Sequence, residues 1–286
     1  QGVSSAASDV YKRQGLEWSH ELRTREISFQ FICGGSLNET LEELRKGLFA
    51  RKFTSIVSVG GDGLAHYLYK EAIAHDVPIF VAPGGTGNDF SRSSRTYGLS
   101  TSALVDHMVS KAPQQVDMGL IEHGGDSLWF GQVLSSGFDS LVNARANRIR
   151  HLRGKTKYVL ATFLELARFV PQSYEVSFDG DRRSFNAMVL AIANGECFGG
   201  GMLVCPDANR HDGLMDVLIL DQVPIRTFLR VFPRLFNGTH IHHPAVQIVR
   251  CKKIEIERGA VVFADGEYIC QPQVTITAIP GAMRTW

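Results

Sequence analysis

Two patterns of apolar and polar residues divide the chain. Between about residues 27 and 115, short apolar runs alternate with segments that have the spacing of amphipathic helices. Ile27–Ile32 alternates like a strand, and Ser55–Val59 and Val77–Ala82 are apolar runs that end next to glycine or proline. Strands that alternate with helices predict an α/β domain with a parallel sheet.

Helix signals lie between these strand candidates. Ser36 and Glu39 form a capping-box pattern, in which the serine caps the first turn and the glutamate reaches back toward it. Apolar residues then recur every three or four positions, first in the helix after Ser36 and again in one predicted after Val59. These two apolar stripes are Leu37, Leu41, Leu44 and Leu48, and Leu64, Leu68 and Ala72.

From about residue 116 onward, short strand candidates separated by turn residues dominate. They are Val116–Ile121, Leu128–Leu134, Tyr174–Phe178, Asn186–Ala193, Met215–Leu220, Val246–Val249, Lys253–Glu257, Val261–Phe263 and Val274–Ala278. Helical stretches remain at Asp139–Arg150, Lys157–Val170 and Ile225–Phe236. The pattern predicts a β-rich second domain, built as an antiparallel sandwich. We therefore expect one domain at residues 27–115, completed by the last C-terminal residues, and a second at 116–286.

Composition narrows the class of protein. Of 286 residues, 44% are hydrophobic and 21% are charged, which excludes wholesale disorder. Lys and Arg number 30 and Asp and Glu 29, so the broad basic surface of a nucleic-acid-binding protein is not expected. Five cysteines without C-x-x-C spacing favour a reducing, cytoplasmic compartment, and no apolar run is long enough to span a membrane.

The first residues differ from the rest. Residues 1–14 are polar and aperiodic, and they lack the apolar core of a secretory signal. We expect residues 1–26 to be a leader that is disordered or foreign to the native protein.

Two glycine loops carry the candidate chemistry. Val59-Gly-Gly-Asp-Gly63 and Ala82-Pro-Gly-Gly-Thr-Gly-Asn-Asp-Phe90 each follow a strand candidate. Loops after successive parallel strands gather at one sheet edge, where backbone amides and helix N-termini suit phosphate. Asp62 would repel phosphate unless a cation or proton intervenes, so it is read as a partner of a metal, a water or a hydroxyl. A tight turn at the first loop, and a helix N-cap at Asn88, are the alternatives.

Together these loops resemble those of the diacylglycerol kinase catalytic-domain family, especially its bacterial lipid kinases; sphingosine and ceramide kinases are more distant relatives. Further motifs occur in the family's order, and the resemblance covers about residues 27–286. They are Ser136-Gly-Phe-Asp139, Asn194–Met202, Pro206-Asp-Ala208, Asp212-Gly-Leu-Met-Asp216 and Asp265-Gly-Glu267.

The resemblance implies a lipid kinase that transfers the γ-phosphoryl group of ATP to a lipid hydroxyl such as that of diacylglycerol. The nucleotide would lie between an α/β domain at 27–115 and a β-sandwich lipid-substrate domain at 116–286. The residues implied to bind it are Gly60, Gly61, Asp62, Gly63, Gly84, Gly85, Thr86 and Asn88. The enzyme would be cytoplasmic and peripheral to the membrane, with a lipid substrate and no nucleic acid, and a homodimer is compatible with the resemblance.

Carboxylates supply the implied catalytic and metal-binding groups. Asp265 is the favoured base, with Glu267 close by for metal or nucleotide contacts and Asp62 as the alternative base. Asp265-Gly266 is equally an ordinary hairpin-turn dipeptide. Asp212, with the backbone carbonyl near Leu214, resembles a segment that holds a structural Mg²⁺, although a turn before a strand explains it as well. Asp89 and Asp139 would join that site through waters, and Arg92, Arg95 and Lys155 are candidate phosphate partners.

Two departures from the family pattern bear on activity. Leu64 stands where most bacterial members have threonine, as in sphingosine and ceramide kinases. The family's opening strand and Asn-Pro-x-x-Gly loop do not precede Ile27, so we expect the chain to be truncated there and weaker in ATP binding. A NAD kinase, which shares the first loop, and a catalytically impaired nucleotide- or lipid-binding homologue are therefore the alternative functions.

Three other features are weighed against simpler explanations. His240 and His242 would share one face of a strand, but a surface turn is favoured over a metal site. The basic stretch from Arg145 to Lys157 is a solvated helix face or a contact for anionic lipid headgroups. Leu160–Val170 is expected in the core or along an acyl-chain site.

Overall fold

A computed structural model describes residues 5–136 and 171–286 of the chain. The chain divides into two compact units. The first unit runs to Gln115 and includes Met283–Trp286, and the second covers Val116–Ala282. The predicted helices at Asp139–Arg150 and Lys157–Val170, the basic stretch from Arg145 and the apolar stretch from Leu160 lie outside the described residues, as do Asp139 and Lys155.

The first unit alternates helices and strands as the sequence predicts. Its elements are α1 (Ser5–Thr24), α2 (Leu37–Phe49), β1 (Ile56–Val59), α3 (Asp62–Ala74), β2 (Ile79–Ala82), α4 (Asp89–Ser93) and α5 (Thr101–Ser110). Strands β1 and β2 are parallel, with Ile56 opposite Ile79. Thr285, in the last strand of the chain, also pairs in parallel with Ile79, so the C-terminal residues complete this sheet.

The start of α2 follows the predicted capping pattern with one shift. The Ser36 hydroxyl accepts from the Glu39 amide at 3.2 Å. The Glu39 carboxylate accepts from the Gly35 amide at 2.8 Å, one residue before the expected position. Of the four predicted leucines, Leu41, Leu44 and Leu48 are buried. The stripe therefore anchors the helix as expected, with Leu37 at its exposed end.

Within the leader expected at residues 1–26, residues 5–24 form α1, so the expectation of disorder is wrong for them. That the segment is foreign to the native protein stays a prediction. Trp18 and Leu22, one helical turn apart, are 5% and 7% exposed and pack in a cluster with Phe80. Arg25, just after the helix, donates to the Asp106 carboxylate of α5 at 2.9 Å. Trp18 and Leu22 thus give α1 an apolar side that was not recognised in the sequence analysis.

The strand predicted at Ile27–Ile32 is also wrong, since these residues have no regular secondary structure. Ile27 and Phe29 pack against the cluster of Trp18, while Ser28 between them is exposed. The alternation therefore reflects packing of an extended segment. Among the described residues, no neighbouring strand pairs with this segment, as a β-strand would require.

The second unit is the predicted β-rich domain. Its strands are β3 (Gln114–His123), β4 (Asp126–Phe130), β5 (Val133–Ser136), β6 (Gln172–Phe178), β7 (Asp181–Ala187), β8 (Val189–Ala193), β9 (Cys197–Phe198), β10 (Met202–Leu203), β11 (Met215–Leu220), β12 (Val246–Cys251), β13 (Lys253–Arg258), β14 (Val262–Ala264), β15 (Glu267–Cys270) and β16 (Val274–Thr285). Helix α6 (Ile225–Val231) and 3₁₀ turns at Phe232–Phe236 and Thr239–His242 complete it.

Two sheets of this unit share one apolar core. One has the strand order β12-β11-β8-β5-β14-β15, and in the other β16, β13, β6 and β7 are neighbours. Inward side chains of both meet, with Ile192 and Val217 from the first and Val176, Ile254 and Ile276 from the second. This is the sandwich that the alternating strands predict.

Three sequence expectations in this unit differ from the structure. The predicted strand Asn186–Ala193 covers the end of β7 and all of β8, with Met188 between them. The run Leu128–Leu134 is split, because β4 ends at Phe130 and β5 begins at Val133. His240 and His242 lie in a 3₁₀ turn rather than on a strand, and the His240 ring is buried with its Nε2 3.0 Å from the Val204 carbonyl oxygen. Among the described residues, no helix is both long and apolar enough to cross a membrane.

Candidate functional site

The first glycine loop joins β1 to α3. The strand ends at Val59 and the helix begins at Asp62, so Gly60 and Gly61 form the whole connection. Gly61 has a φ of 82°, and a Cβ there would lie 2.6 Å from the Cα of Gly85. Only glycine fits this position, because both the left-handed backbone and the contact exclude a side chain.

The second glycine loop joins β2 to α4 and is closed by its own asparagine. The Asn88 Oδ1 accepts from the Gly85 amide at 2.7 Å, and its Nδ2 donates to the Gly85 carbonyl at 2.8 Å. Asn88 precedes α4 with a φ of 54° and makes no side-chain cap bond to that helix. Of the two interpretations of Asn88, capping is therefore not what its side chain does. Thr86 is exposed at the tip of the loop.

Asp62 ties the two loops together. Its Oδ2 accepts from the Asp89 amide at 2.9 Å, and its Oδ1 accepts from the Phe90 amide at 3.0 Å. Asp62 is the first residue of α3, and its partners are the first two residues of α4. One carboxylate thus caps the neighbouring helix and fixes the spacing of both glycine loops. The N-terminus of α3 follows the loop directly, and a glycine loop that leads into a helix N-terminus is an arrangement that suits phosphate.

Two further side chains line the second loop. A Cβ placed on Gly84 would lie 2.8 Å from the Oε1 of Gln14 in α1. This oxygen is buried and has no hydrogen-bond partner among the described residues. Sequence reasoning missed Gln14 because it fell in the expected leader. Arg92, a candidate phosphate partner, donates from Nε to the Gly87 carbonyl at 3.2 Å and stacks 3.6 Å over the ring of Tyr97.

Asp265 occupies a tight hairpin turn between β14 and β15. Asp265 and Gly266 both have positive φ, 50° and 89°, as a two-residue turn of this kind requires. The hairpin-turn interpretation of this dipeptide is therefore what the structure shows. Glu267, the neighbouring candidate, is half-buried at the start of β15.

Both oxygens of the Asp265 carboxylate accept hydrogen bonds from backbone amides. Its Oδ2 accepts from the Gly131 amide and its Oδ1 from the Gln132 amide, both at 2.9 Å. The side chain is buried, with the residue 9% exposed. These two bonds fix the plane of the carboxylate, since each of its oxygens accepts from a different backbone amide. Gly131 and Gln132 form the break that splits the predicted strand Leu128–Leu134.

A buried asparagine supports that break. The Asn194 Nδ2 donates to the Gly131 carbonyl at 2.9 Å and to the Asp117 carbonyl at 2.8 Å, and its backbone amide donates to the Gln132 carbonyl. Asp117 is itself buried, and its carboxylate accepts from the amides of Gly213 and Gly281 at 2.7 and 2.8 Å. Asn194 belongs to a motif quoted from the sequence, but nothing there signalled Asp117, Gly131 or Gln132.

The predicted metal residues are engaged in other contacts. One Asp212 oxygen accepts from the Leu214 amide at 3.0 Å, and the other is paired with the Arg250 guanidinium. Among the described residues, no group of three or more His, Cys, Asp or Glu side chains is placed to hold a metal. Burial raises the pKa of the nearby Asp216 carboxyl, which Arg250 partly opposes. In this structure the Asp212 carboxylate is engaged by Arg250 and the Leu214 amide, and a Mg²⁺ site at Asp212 and Leu214 stays a prediction.

Comparison with known proteins gives consistent matches. Two protein-family models match the chain. "Diacylglycerol kinase catalytic domain" matches residues 10–121, and "YegS C-terminal NAD kinase beta sandwich-like domain" matches residues 132–286. A diacylglycerol kinase of Mycobacterium tuberculosis (strain H37Rv) is 34% identical over 92% of this chain and 86% of its own length. One of Bacillus subtilis is 22% identical over 82% and 77%. The crystal structure of a diacylglycerol kinase from Bacillus anthracis aligns with a TM-score of 0.62 at 18% identity, over 88% of this chain and 82% of that one.

Proposed function

Because the chain belongs to the diacylglycerol kinase catalytic-domain family of lipid kinases, we propose that it transfers the γ-phosphoryl group of ATP to a hydroxyl of diacylglycerol or a similar lipid. Membership supports the reaction class, and the names of the relatives suggest the acceptor. The enzyme would act at the membrane surface, where such a lipid is found. The predicted cytoplasmic location and homodimer stay predictions.

One observation carries the choice of a nucleotide donor: the Asp62 carboxylate joins two glycine loops at the ends of adjacent parallel strands. Glycine at positions 61 and 85 lets the loops approach within van der Waals contact, and it leaves their backbone free of side chains. Loops of this kind bind phosphate through backbone amides and a helix N-terminus. We assign the phosphates of ATP to Gly60, Gly61, Gly63 and the loop Gly84–Asn88.

Magnesium would reach this site with the nucleotide, where it supplies charge neutralisation for phosphoryl transfer. Asp212 and Leu214 are not assigned to that ion, because Arg250 and a backbone amide already engage the carboxylate. Asp62 is assigned a positioning role rather than that of a base. It accepts from the first amides of α4 while standing at the start of α3, and both helix ends stabilise its negative charge.

Asp265 is the proposed base. Two backbone amides fix the plane of its carboxylate, and the turn holds its backbone in a left-handed conformation. From this position it would accept the proton of the lipid hydroxyl as that oxygen forms its bond to the γ-phosphorus, while the bond from the γ-phosphorus to the bridging oxygen breaks and ADP leaves. Glu267 stands two residues away on β15, where contact with the nucleotide or metal stays a prediction.

The direct test is phosphorylation of lipids in mixed micelles. We expect the purified chain, given radiolabelled ATP and Mg²⁺, to label diacylglycerol as phosphatidic acid. Phosphatidylglycerol, sphingosine-like bases and polyprenols should be compared in the same assay, because the site does not select among them. Phosphorylation of NAD with no labelled lipid would contradict the proposal in favour of a NAD kinase. Nucleotide binding with no turnover on any lipid would favour an impaired homologue.

A further inference from the structure

The outward side of the α6 segment combines arginines with apolar side chains. The segment comprises α6 and the 3₁₀ turn that follows it, from Ile225 to Phe236. Its inner side chains, Phe228 and Phe232, are buried and pack with Met202. Its exposed side, which we call the α6 face, consists of Arg226, Leu229, Arg230, Pro233, Arg234 and Phe236.

The α6 face is strongly basic in a chain that is nearly neutral overall. Between Asp221 and Glu255 the sequence has no acidic residue, although it has six Arg or Lys residues there. In the described part of the chain, no carboxylate pairs with the three arginines of the α6 face, whereas Arg250 nearby in sequence pairs with Asp212 and Asp216. Within residues 5–136 and 171–286, the positive charge of this face is therefore not paired with a carboxylate.

Apolar side chains stand among these charges. Leu229 is 39% exposed and Phe236 is 47% exposed. They belong to a segment whose other side is buried through Phe228 and Phe232, and the Phe236 ring lies edge-on to that of Phe232. An ordinary solvated helix face mixes both signs of charge and has few large apolar groups. Basic residues interspersed with Leu and Phe are instead typical of segments that lie in the interface of an anionic membrane.

We propose that the α6 face docks the enzyme on a bilayer surface that contains anionic lipid. The arginines would contact headgroup phosphates, while Leu229 and Phe236 enter the boundary of the acyl chains. The inference rests on the assignment of the chain to the lipid kinases, because a lipid substrate requires contact with a membrane. It adds a binding surface that is separate from the glycine loops and from Asp265.

The test is co-sedimentation with vesicles in the absence of ATP and diacylglycerol. We expect the wild type to bind phosphatidylcholine vesicles containing phosphatidylglycerol, and to bind pure phosphatidylcholine much more weakly. Arg226→Gln, Arg230→Gln and Arg234→Gln together should lower binding on the order of a hundredfold, since each such cation contributes about a fivefold factor near an anionic surface. A matched control replaces the exposed Lys46, Lys52 and Lys70 of the first unit by Gln, with less than a threefold change expected.

Two further variants separate the contributions of charge and apolar contact. Replacing the three arginines by lysine keeps the charge and should retain most of the binding. Leu229→Ala with Phe236→Ala should weaken binding at high salt, whereas Phe49→Ala, at a side chain that is 87% exposed, should not. Three outcomes would overturn the docking proposal. They are equal binding to neutral and anionic vesicles, a loss of binding in the Lys46, Lys52 and Lys70 control as large as that in the triple Gln variant of the arginines, and stronger binding to an oligonucleotide than to vesicles.

The docking surface and the proposed reaction fail independently. On a short-chain diacylglycerol dispersed in water, the triple Gln variant should turn over like the wild type, because no bilayer is needed. Docking without phosphorylation of diacylglycerol would contradict only the proposed acceptor. Phosphorylation of vesicle-borne lipid that is unchanged in the triple Gln variant would contradict only the docking surface.

Discussion

Two Asp-Gly hairpin turns of the second unit have nearly the same backbone. Asp179 and Gly180, between β6 and β7, have φ angles of 49° and 93°. Asp265 and Gly266, between β14 and β15, have φ angles of 50° and 89°. Each turn is the two-residue connection that favours Asp followed by Gly. Sequence and local conformation therefore give no reason to assign chemistry to one and not to the other.

Even the side-chain bonds of the two turns correspond. Each carboxylate accepts from two consecutive backbone amides, those of Lys252 and Lys253 for Asp179 and those of Gly131 and Gln132 for Asp265. The difference lies in the surroundings. Asp179 is exposed, whereas Asp265 is buried and its partner loop is fixed by Asn194. A supported, buried carboxylate is suited to catalysis, while its exposed counterpart stabilises a turn.

The largest expected effect comes from the two aspartates themselves. Asp265→Asn should lower kcat by about 10²–10⁴, because the amide cannot accept the proton of the lipid hydroxyl. Asp179→Asn makes the same chemical change in the corresponding turn, where one of the two carboxylate oxygens becomes an NH₂ group, and should leave kcat within about twofold. Steady-state kinetics on mixed micelles would check both. Similar losses in the two variants would mean that Asp265 has only the structural role of Asp179.

A second pair applies the same comparison to glycine. Gly61 and Gly98 have φ angles of 82° and 85°, but a Cβ on Gly98 would meet nothing within 4 Å. Gly61→Ala should raise the KM for ATP more than tenfold, because the methyl group pushes the two glycine loops apart in addition to the backbone strain. Gly98→Ala introduces the backbone strain without any steric contact, and it should leave the KM for ATP unchanged. Equal KM values in both variants would show that contact between the loops does not matter.

The smallest of these effects concerns the support of Asp265. Asn194→Ala removes two buried donors, to Gly131 and Asp117, and should lower the free energy of unfolding by about 2–3 kcal/mol. It should also lower kcat more than it changes KM for ATP, since the loop that orients Asp265 loosens. Asn186→Ala, at an exposed side chain, should cost under about 0.5 kcal/mol. Urea unfolding and kinetics would check both variants, and an unchanged kcat in Asn194→Ala would contradict a positioning role.

The glycine loops could be predicted from sequence because their signals are local. Gly60, Gly61 and Asp62 directly follow a strand pattern, and the helix begins where the glycines end. That Asp62 would accept from the amides of Asp89 and Phe90 could not be predicted, since it depends on how two loops fold onto each other. The two loops could therefore be predicted from sequence, but the hydrogen bonds that join them could not.

The surroundings of Asp265 were largely hidden from sequence analysis. Gly131 and Gln132 lie in a run predicted as one strand, Leu128–Leu134, and only the structure shows that the strand breaks there. Asp117 is inside a predicted strand, where an isolated acid suggests nothing. Gln14 was not recognised as a candidate because it lies within the expected leader. In each case the missing information is tertiary packing.

The central claim is that the glycine loops bind the nucleotide while Asp265 acts on the acceptor. Its most direct test is the affinity of a non-hydrolysable ATP analogue for Asp62→Asn and Asp265→Asn, measured by calorimetry on the full chain. We predict that Asp62→Asn weakens binding at least tenfold, because the two loops lose their shared carboxylate, and that Asp265→Asn stays within about twofold of the wild type. A loss in Asp265→Asn as large as that in Asp62→Asn would contradict the division of roles.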